Sequence, residues 1–351
     1  MVDIRLFTEE NKQWEKEYLA GFELDAELFE RMGLRIVQIV PDRNSYRLET
    51  DKGFFSLKKL RFPIEEMDFA RECTVYLRDK GFRNVLGFIE QKNGGDYLDY
   101  QGERYYLTEW IDGRECDFQN VGDIKKGSEL LADFHAKAKG FGYSRLPGSR
   151  NLLVKWPEAF KGRINEISNI KHMVECKEDR KQLDEAYISY AGRCMEDAER
   201  AFELLMKSHY RNAVERSRKE GGFIHHDMLH NNLVYTFSGE VYIIDFEFFA
   251  VDIRMHDIAA FILRSLKRGE WDPDKARLVI DSYNSINPLK KGETDILLPF
   301  ILFPHDFWGL TRQYLRQDKD FDEQEFIERI NPESEGNERR RRCIDELLRK
   351  P

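Results

Sequence analysis

Asp227, Asn232 and Asp245 lie within one short stretch and together can handle a metal ion and a proton. The stretch runs Phe-Ile-His-His-Asp-Met-Leu-His-Asn-Asn-Leu-Val-Tyr from Phe223 to Tyr235, then Val-Tyr-Ile-Ile-Asp-Phe-Glu from Val241 to Glu247. Leu233–Tyr235 and Val241–Ile244 have strand character, and Ser238-Gly239 between them is a hairpin-turn dipeptide. A turn centred there sets Asn232 opposite Asp245, so two oxygen donors share one end of a rigid hairpin, as a Mg²⁺ site requires. Asp227 stands on the loop entering the hairpin. A carboxylate there can accept a proton from an attacking hydroxyl while a metal offsets charge on a transferring phosphoryl group. His225 is counted with this loop and is expected to brace it rather than to act as a base, while the roles of His226 and His230 stay open. An Asp and an Asn at this spacing recur by chance, so the weight rests on the three residues together on a strand–turn–strand.

The elements that must hold this hairpin are legible in outline. Leu34–Val40, Ser45–Thr50 and Phe54–Leu60 are β-rich runs, separated by Pro41-Asp42-Arg43-Asn44 and Asp51-Lys52-Gly53. Apolar residues at helical spacing (Phe69, Cys73, Tyr76, Leu77) predict a helix over 63–80 that stops at Gly81. Two further strands are expected, Val85–Gln91 and Arg104–Ile111. After Asp112-Gly113 helical patterns dominate: 124–139, 157–171, about 180–220, 257–267 and 273–283. The expected fold is α+β, with a small antiparallel-sheet N-terminal lobe over 1–112, preceded by a helical extension, and a larger, mostly helical C-terminal lobe over 113–351.

The loop His225-His226-Asp227, four residues and Asn232, followed by Ile-Asp-Phe-Glu at 244–247, resembles the aminoglycoside phosphotransferase and choline kinase superfamily, whose members carry H-G-D-x-x-x-x-N and then I-D-[FW]-[ED]. Within it, the His-His-Asp form and the chain length are most similar to the bacterial spore-coat protein S and I group, over roughly residues 30–310. The resemblance implies a bilobal protein-kinase-like fold that uses ATP and Mg²⁺. Carried over residue by residue, it makes Asp227 the base and Asn232 and Asp245 the metal ligands. Lys58 would meet the nucleotide phosphates and Glu72, with Glu66 as the alternative, would pair that lysine. Glu109 and Ile111 would contact adenine through main-chain atoms. Glu247 would face substrate or a second metal, and Asp257 would brace the catalytic loop. The helical region of about 145–220 resembles the insertion that shapes small-molecule acceptor sites, and no A-P-E segment follows Asp245, which speaks against a protein kinase.

One departure bears on activity. Where nucleotide kinases place glycines between the first two strands, this chain has Val40-Pro-Asp-Arg-Asn-Ser-Tyr46. Pro41 removes an amide donor and Asp42 sets a negative charge near the phosphates. Two functions therefore compete: ATP-dependent transfer to a hydroxyl of a small molecule, and a structural component of the spore coat with weak or lost turnover whose partners are other coat proteins.

Bulk properties narrow the field. In 351 residues, 41% hydrophobic and 34% charged, 56 Lys+Arg face 65 Asp+Glu for a net −9, which argues against a broad nucleic-acid surface. The basic run Arg339–Arg342 reads as a solvated helix face. Five cysteines without a C-x-x-C pair suit reduced thiols. The N-terminus lacks a signal-peptide core and no run approaches the ~18 apolar residues of a membrane span. The expectation is synthesis in the cytoplasm followed by deposition in the spore coat.

Overall fold

The computed structural model describes Leu19, Phe22 and residues 24–349, apart from Asn93, Ser144, Gly269, 318–320 and 332–334. Most of the expected N-terminal extension lies outside the described residues. The chain forms two units: residues up to Arg114 with Val234–Glu247, and Glu115–Leu233 with Phe248 onward. The hairpin strand end bearing Asp245 and Glu247 thus groups with the N-terminal unit, although in sequence it is embedded in the other.

In the N-terminal unit a five-stranded antiparallel sheet runs β1 (Ile36–Asp42), β2 (Ser45–Thr50), β3 (Gly53–Lys59), β5 (Glu103–Glu109), β4 (Leu98–Tyr100) in spatial order. Its register stacks apolar side chains on one face: Ile39 opposes Leu48 and Leu57 opposes Leu107. Over that face packs α1 (Ala26–Met32), which contributes Leu28 and Phe29 to the same core. The Asp25 carboxylate caps its start by accepting from the Leu28 N–H at 3.1 Å, and Gly33, at φ 72°, ends it in the left-handed conformation glycine adopts without penalty. The helix α2 (Ile64–Asp79) follows Pro63 as expected, burying Phe69, Cys73 and Leu77.

Two expectations need correction. Residues 85–91 do not form a strand; they run along β5 through scattered bonds, with Ile89 N–H to Leu107 O at 2.9 Å and Glu109 N–H to Gly87 O at 3.2 Å. The Glu109 carboxylate takes the Gly87 N–H at 2.9 Å, which diverts that amide from a regular ladder. The fifth strand is instead Leu98–Tyr100, paired with β5 across Gln101-Gly102. The hairpin of residues 233–244 also turns one residue earlier in register. The Thr236 N–H donates to Glu240 O at 2.9 Å, and the Gly239 N–H to Thr236 O at 3.0 Å, with Gly239 at φ 87°. This is a three-residue turn closed by a left-handed glycine, in which Ser238-Gly239 is off-centre. The hairpin docks on the sheet unit through Asn84, whose Nδ2 donates to Val241 O and whose carbonyl accepts from the Ile243 N–H, each at 2.8 Å.

The second unit is helical, with α3 (Val121–Ala138), α4 (Trp156–Glu175), α5 (Gln182–Lys207), α6 (Tyr210–Glu220), α7 (Met255–Arg268), α8 (Pro273–Ile286), α9 (Thr294–Leu302), α10 (His305–Arg316), α11 (Glu323–Ile330) and α12 (Glu335–Arg349). The pattern over 180–220 divides at Ser208, whose extended backbone breaks the helix while its hydroxyl bonds Leu205 O and accepts the Tyr210 N–H. Tyr187, Phe307 and Tyr314 centre one core where α4, α5, α10 and α11 meet. The basic run on α12 is only partly a solvated face. Arg342 pairs with Glu338 one turn away, whereas Arg340 reaches Asp197 at 2.6 Å and Leu302 O at 2.7 Å.

Candidate active site

In the helical unit the site is built around one buried carboxylate. Asp257, in the first turn of α7, is fully buried and accepts from the His225 N–H at 2.7 Å and the His226 N–H at 2.8 Å. Its Oδ2 also lies 3.1 Å from His135 Nε2, and His135 Nδ1 lies 2.9 Å from the Tyr283 hydroxyl. Because the carboxylate can only accept, Nε2 of His135 carries the proton and Nδ1 accepts from Tyr283. Burial works against the charge on Asp257, yet the bonds and fields of His135 and His256 hold its pKa far below the ordinary carboxylate range. Burial pushes His135 down, so the ring stays neutral.

This clamp fixes the backbone that carries Asp227. His225 Nδ1 accepts the Asp227 N–H at 3.3 Å. His226, where the related loops have glycine, sits at φ 70°, in the left-handed region that costs a side-chain-bearing residue roughly 1–2 kcal/mol. Asn232, buried at the end of a short 3₁₀ turn, donates from Nδ2 to Asp227 O at 2.7 Å and to Asp227 Oδ2 at 3.1 Å. That leaves Asn232 Oδ1 buried with no hydrogen-bond partner among the described residues.

The N-terminal unit holds the other group of candidates. Lys58 of β3 bonds Asp245 and, at 2.5 Å, Glu247 Oε1, which also accepts from the Tyr106 hydroxyl at 2.5 Å. Burial disfavours the charge on Lys58, but the Glu247 and Asp245 carboxylates raise its basicity above the usual value. Glu247 is held below the carboxylate range by Lys58 in spite of burial, and its Oε2 has no partner among the described residues. Asp245 sits at φ 61°, a strained backbone for a non-glycine residue and one met most often at functional sites. Glu72 stands exposed on α2 and makes no ion pair among the described residues, since the hairpin carboxylates occupy the Lys58 ammonium; the buried acid on that helix is Glu66.

At the strand end after β5 the Glu109 carboxylate is structural, bonding Arg78 and the Gly87 amide. The Ile111 N–H makes no hydrogen bond among the described residues. Gly113 is demanded by space: a Cβ there would lie 2.5 Å from Tyr235 O and 2.6 Å from Val234 Cγ1.

The sequence pattern of the family described as "Spore coat putative kinase YutH" matches residues 25–347. The chain belongs to that family. Spore coat protein S of Bacillus subtilis (strain 168) is 22% identical over 286 residues, covering 81% of this chain and 81% of that protein. Of solved structures, an aminoglycoside phosphotransferase from Alicyclobacillus acidocaldarius superposes with a TM-score of 0.79 at 20% identity, covering 93% of this chain and 96% of that one. A spectinomycin phosphotransferase solved with ADP and spectinomycin gives 0.59 at 15%, covering 90% and 96%. These likenesses are of fold, and they agree with the resemblance carried by the His-His-Asp loop and the Ile-Asp-Phe-Glu strand end. This spore-coat family member has a kinase-like α+β architecture, and among its described residues no helix is long and apolar enough to cross a membrane.

Beside Asp227 the helical unit of this family member opens into a cleft of about 430 Å³, lined by Trp156, Phe160, Arg163, His226, Asp252 and His305, with further residues of α7. Apart from His226, whose role stayed open, sequence reasoning passed over these residues, as it did His135, Tyr106 and Tyr283. A histidine on an apolar helix face reads as core, and only the fold reveals what it touches. The cleft histidines are poor bases: burial and the neighbouring His256 take His226 down to about 4, and burial and Arg163 take His305 down to about 3. Burial pushes Asp252 up to about 6.

These values set a pH dependence. A histidine whose folded value lies below its unfolded ~6.5 stabilises the fold above pH 6.5 and loses that contribution as pH falls. Asp252, raised on folding, acts in the opposite sense and offsets one of the two. For these three groups, going from pH 7.5 to 4.5 should therefore cost a net of about 3 kcal/mol, with His135, also pushed down by burial, adding in the same sense. The loss is read as a lower urea midpoint, and double replacement of His226 and His305 by Gln should flatten that profile. An equal slope in wild type and double variant would refute the assignment.

Proposed function

We propose that this protein is an ATP- and Mg²⁺-dependent phosphotransferase acting on a hydroxyl of a small molecule, and that it serves in the spore coat, where other coat proteins are its neighbours. The observation that carries the reading is the pinned Asn232. Its amide nitrogen is committed to Asp227, and its oxygen is left buried and unpartnered, as a metal ligand's would be. Asn232 and Asp245 are the residues that would hold Mg²⁺. The ion, when bound, supplies charge neutralisation for phosphate oxygens. Two protein ligands suit Mg²⁺, which fills its other positions with water and phosphate oxygens, and among the described residues no cluster of three or more His, Cys, Asp or Glu is placed to hold a metal.

The chain's own residues then divide the work. Asp227 accepts the proton of the attacking hydroxyl from a loop clamped by Asp257, with His225 as its brace. Lys58 meets the nucleotide phosphates, and Glu247 with Tyr106 sets the position of its ammonium group. Glu109 O and the Ile111 N–H serve adenine. ADP stands in the spectinomycin phosphotransferase of like fold, which supports nucleotide binding here.

A second reading, a coat scaffold with little turnover, is favoured by the loop between β1 and β2. Asp42 pairs with Ser45 in a tight turn, with Arg43 at φ 51°, and Pro41 is built into the edge strand opposite Tyr46. Such a turn offers few amides to phosphates. A thermal-shift titration separates the two. ATP with Mg²⁺ should stabilise wild type by about 2.7 kcal/mol at a hundredfold excess over Kd, and Asp245→Ala by much less. Absence of a shift in both would transfer the weight to the scaffold.

A further inference from the structure

The charges in the cleft beside Asp227 are unequally matched. Arg163, half-buried on α4, bonds His305 Nδ1 at 2.8 Å and lies 4.3 Å over the Trp308 ring, yet it forms no ion pair among the described residues. His305 does not neutralise it. Its Nε2 lies 3.0 Å from Phe300 O and must donate there, so its Nδ1 is a neutral acceptor. Arg264 of α7 also lines the cleft, exposed and with no ion pair among the described residues. The other two cations are spoken for, Lys155 by Glu158 at 3.3 Å and Lys267 by Asp306.

The acids of the cleft are committed as well. Asp252 is buried, accepting from Trp156 Nε1 at 2.9 Å and from the Ile253 N–H at 2.7 Å. Asp306 faces Lys267, and Asp227 is the site's base. In a chain of net charge −9, two cations that form no ion pair among the described residues are thus gathered in this one cleft, with Glu166 near Arg163 and Asp306 near Arg264 acting only through their fields. A half-buried guanidinium lacking a carboxylate is costly unless a ligand completes it, and its planar fork matches carboxylate or phosphate oxygens. An amine-bearing acceptor would find no free carboxylate except the base.

Resting on the phosphotransferase reading, we propose that the acceptor is an anionic hydroxyl compound, one that carries a carboxylate or phosphate group seated on Arg163 and Arg264 and that offers its hydroxyl to Asp227. At about 430 Å³ the cleft is of small-molecule size. In the transfer step the acceptor O–H proton passes to Asp227. The hydroxyl oxygen forms a new bond to the γ-phosphorus of ATP as the bond from that phosphorus to the bridging oxygen breaks, leaving ADP.

The test is calorimetric binding, without ATP, of glucose, glucosamine, gluconate and glucose 6-phosphate to the full chain. The two acids should bind at least tenfold tighter than the neutral sugar and the amine, with the carboxylate and phosphate arms telling which anion is preferred. Arg163→Met should erase that preference. Arg264→Ala, at an exposed position where folding is not at risk, should reduce it several-fold; the melting temperature of each ligand-free variant reports its folding. A preference for glucosamine, an equal ranking of the four at any strength including none, or a preference unchanged in both variants would overturn the proposal. Anion preference lost in Arg163→Met but accompanied by no phosphoryl transfer from labelled ATP would uphold the anion site and sink the phosphotransferase reading alone.

Discussion

Asp227→Asn is expected to lower the rate of phosphoryl transfer from γ-labelled ATP about 10³-fold. A positioned general base contributes roughly 10²–10⁴-fold, and an amide cannot take the proton. The fold should survive, because an asparagine oxygen at 227 can still accept from Asn232 Nδ2, now 3.1 Å from Asp227 Oδ2, and the backbone carbonyl that Asn232 also bonds is untouched. ATP affinity should change only a few-fold. The informative measurement is single-turnover transfer to the sugar series above, with the ATP-induced thermal shift recorded on the same samples. Undiminished transfer by the variant would remove Asp227 from the mechanism. Absent transfer by wild type, with ATP binding intact, would favour a coat protein that keeps the fold for its surface.

Asp257→Ala should have the largest effect on stability. It strips the His225 and His226 main-chain amides and His135 Nε2 of their common acceptor in a fully buried place. Leaving buried donors unpaired costs about 1–3 kcal/mol each, and removing one member of a buried charged network about 3–5 kcal/mol, so a loss of about 4 kcal/mol is expected. Asp257→Asn should lose less, since one carbonyl oxygen can still serve an amide. Urea unfolding of the two variants checks this, and a cost below about 1 kcal/mol in Asp257→Ala would show that the loop is held by other means. Transfer should fall further than stability alone dictates, because the left-handed backbone at His226 is kept in place by this carboxylate.

Both effects trace to the same division of labour. Asp227 and Asn232 sit five residues apart and bond each other directly, so their relation is local. Asp257 lies 32 residues from His225 and 122 from His135, and its role exists only because α7 ends its N-terminus under the loop. Lys58 shows the contrast from the other side. The β-rich run Phe54–Leu60 placed it on a strand, which the fold bears out, but its partners lie 187 and 189 residues away. The nearer candidate, Glu72, plays no part in that cluster.

What the amino-acid sequence determined by itself is what short-range geometry controls. The α+β class, strand β2, the helix after Pro63 and the spacing of the base loop and hairpin all follow from periodicity, turn chemistry and a handful of side chains close in the chain. The tertiary structure alone decided where charges meet. It turned 85–91 away from the sheet through the Glu109 carboxylate and shifted the hairpin by one residue through a left-handed Gly239. It also left Arg163 facing a cleft whose carboxylates make no ion pair with it among the described residues. Long, flexible charged side chains select partners by proximity and desolvation, and both are set by how distant elements pack. Periodicity says which face of α4 turns inward, but not which acids the rest of the chain brings to meet it.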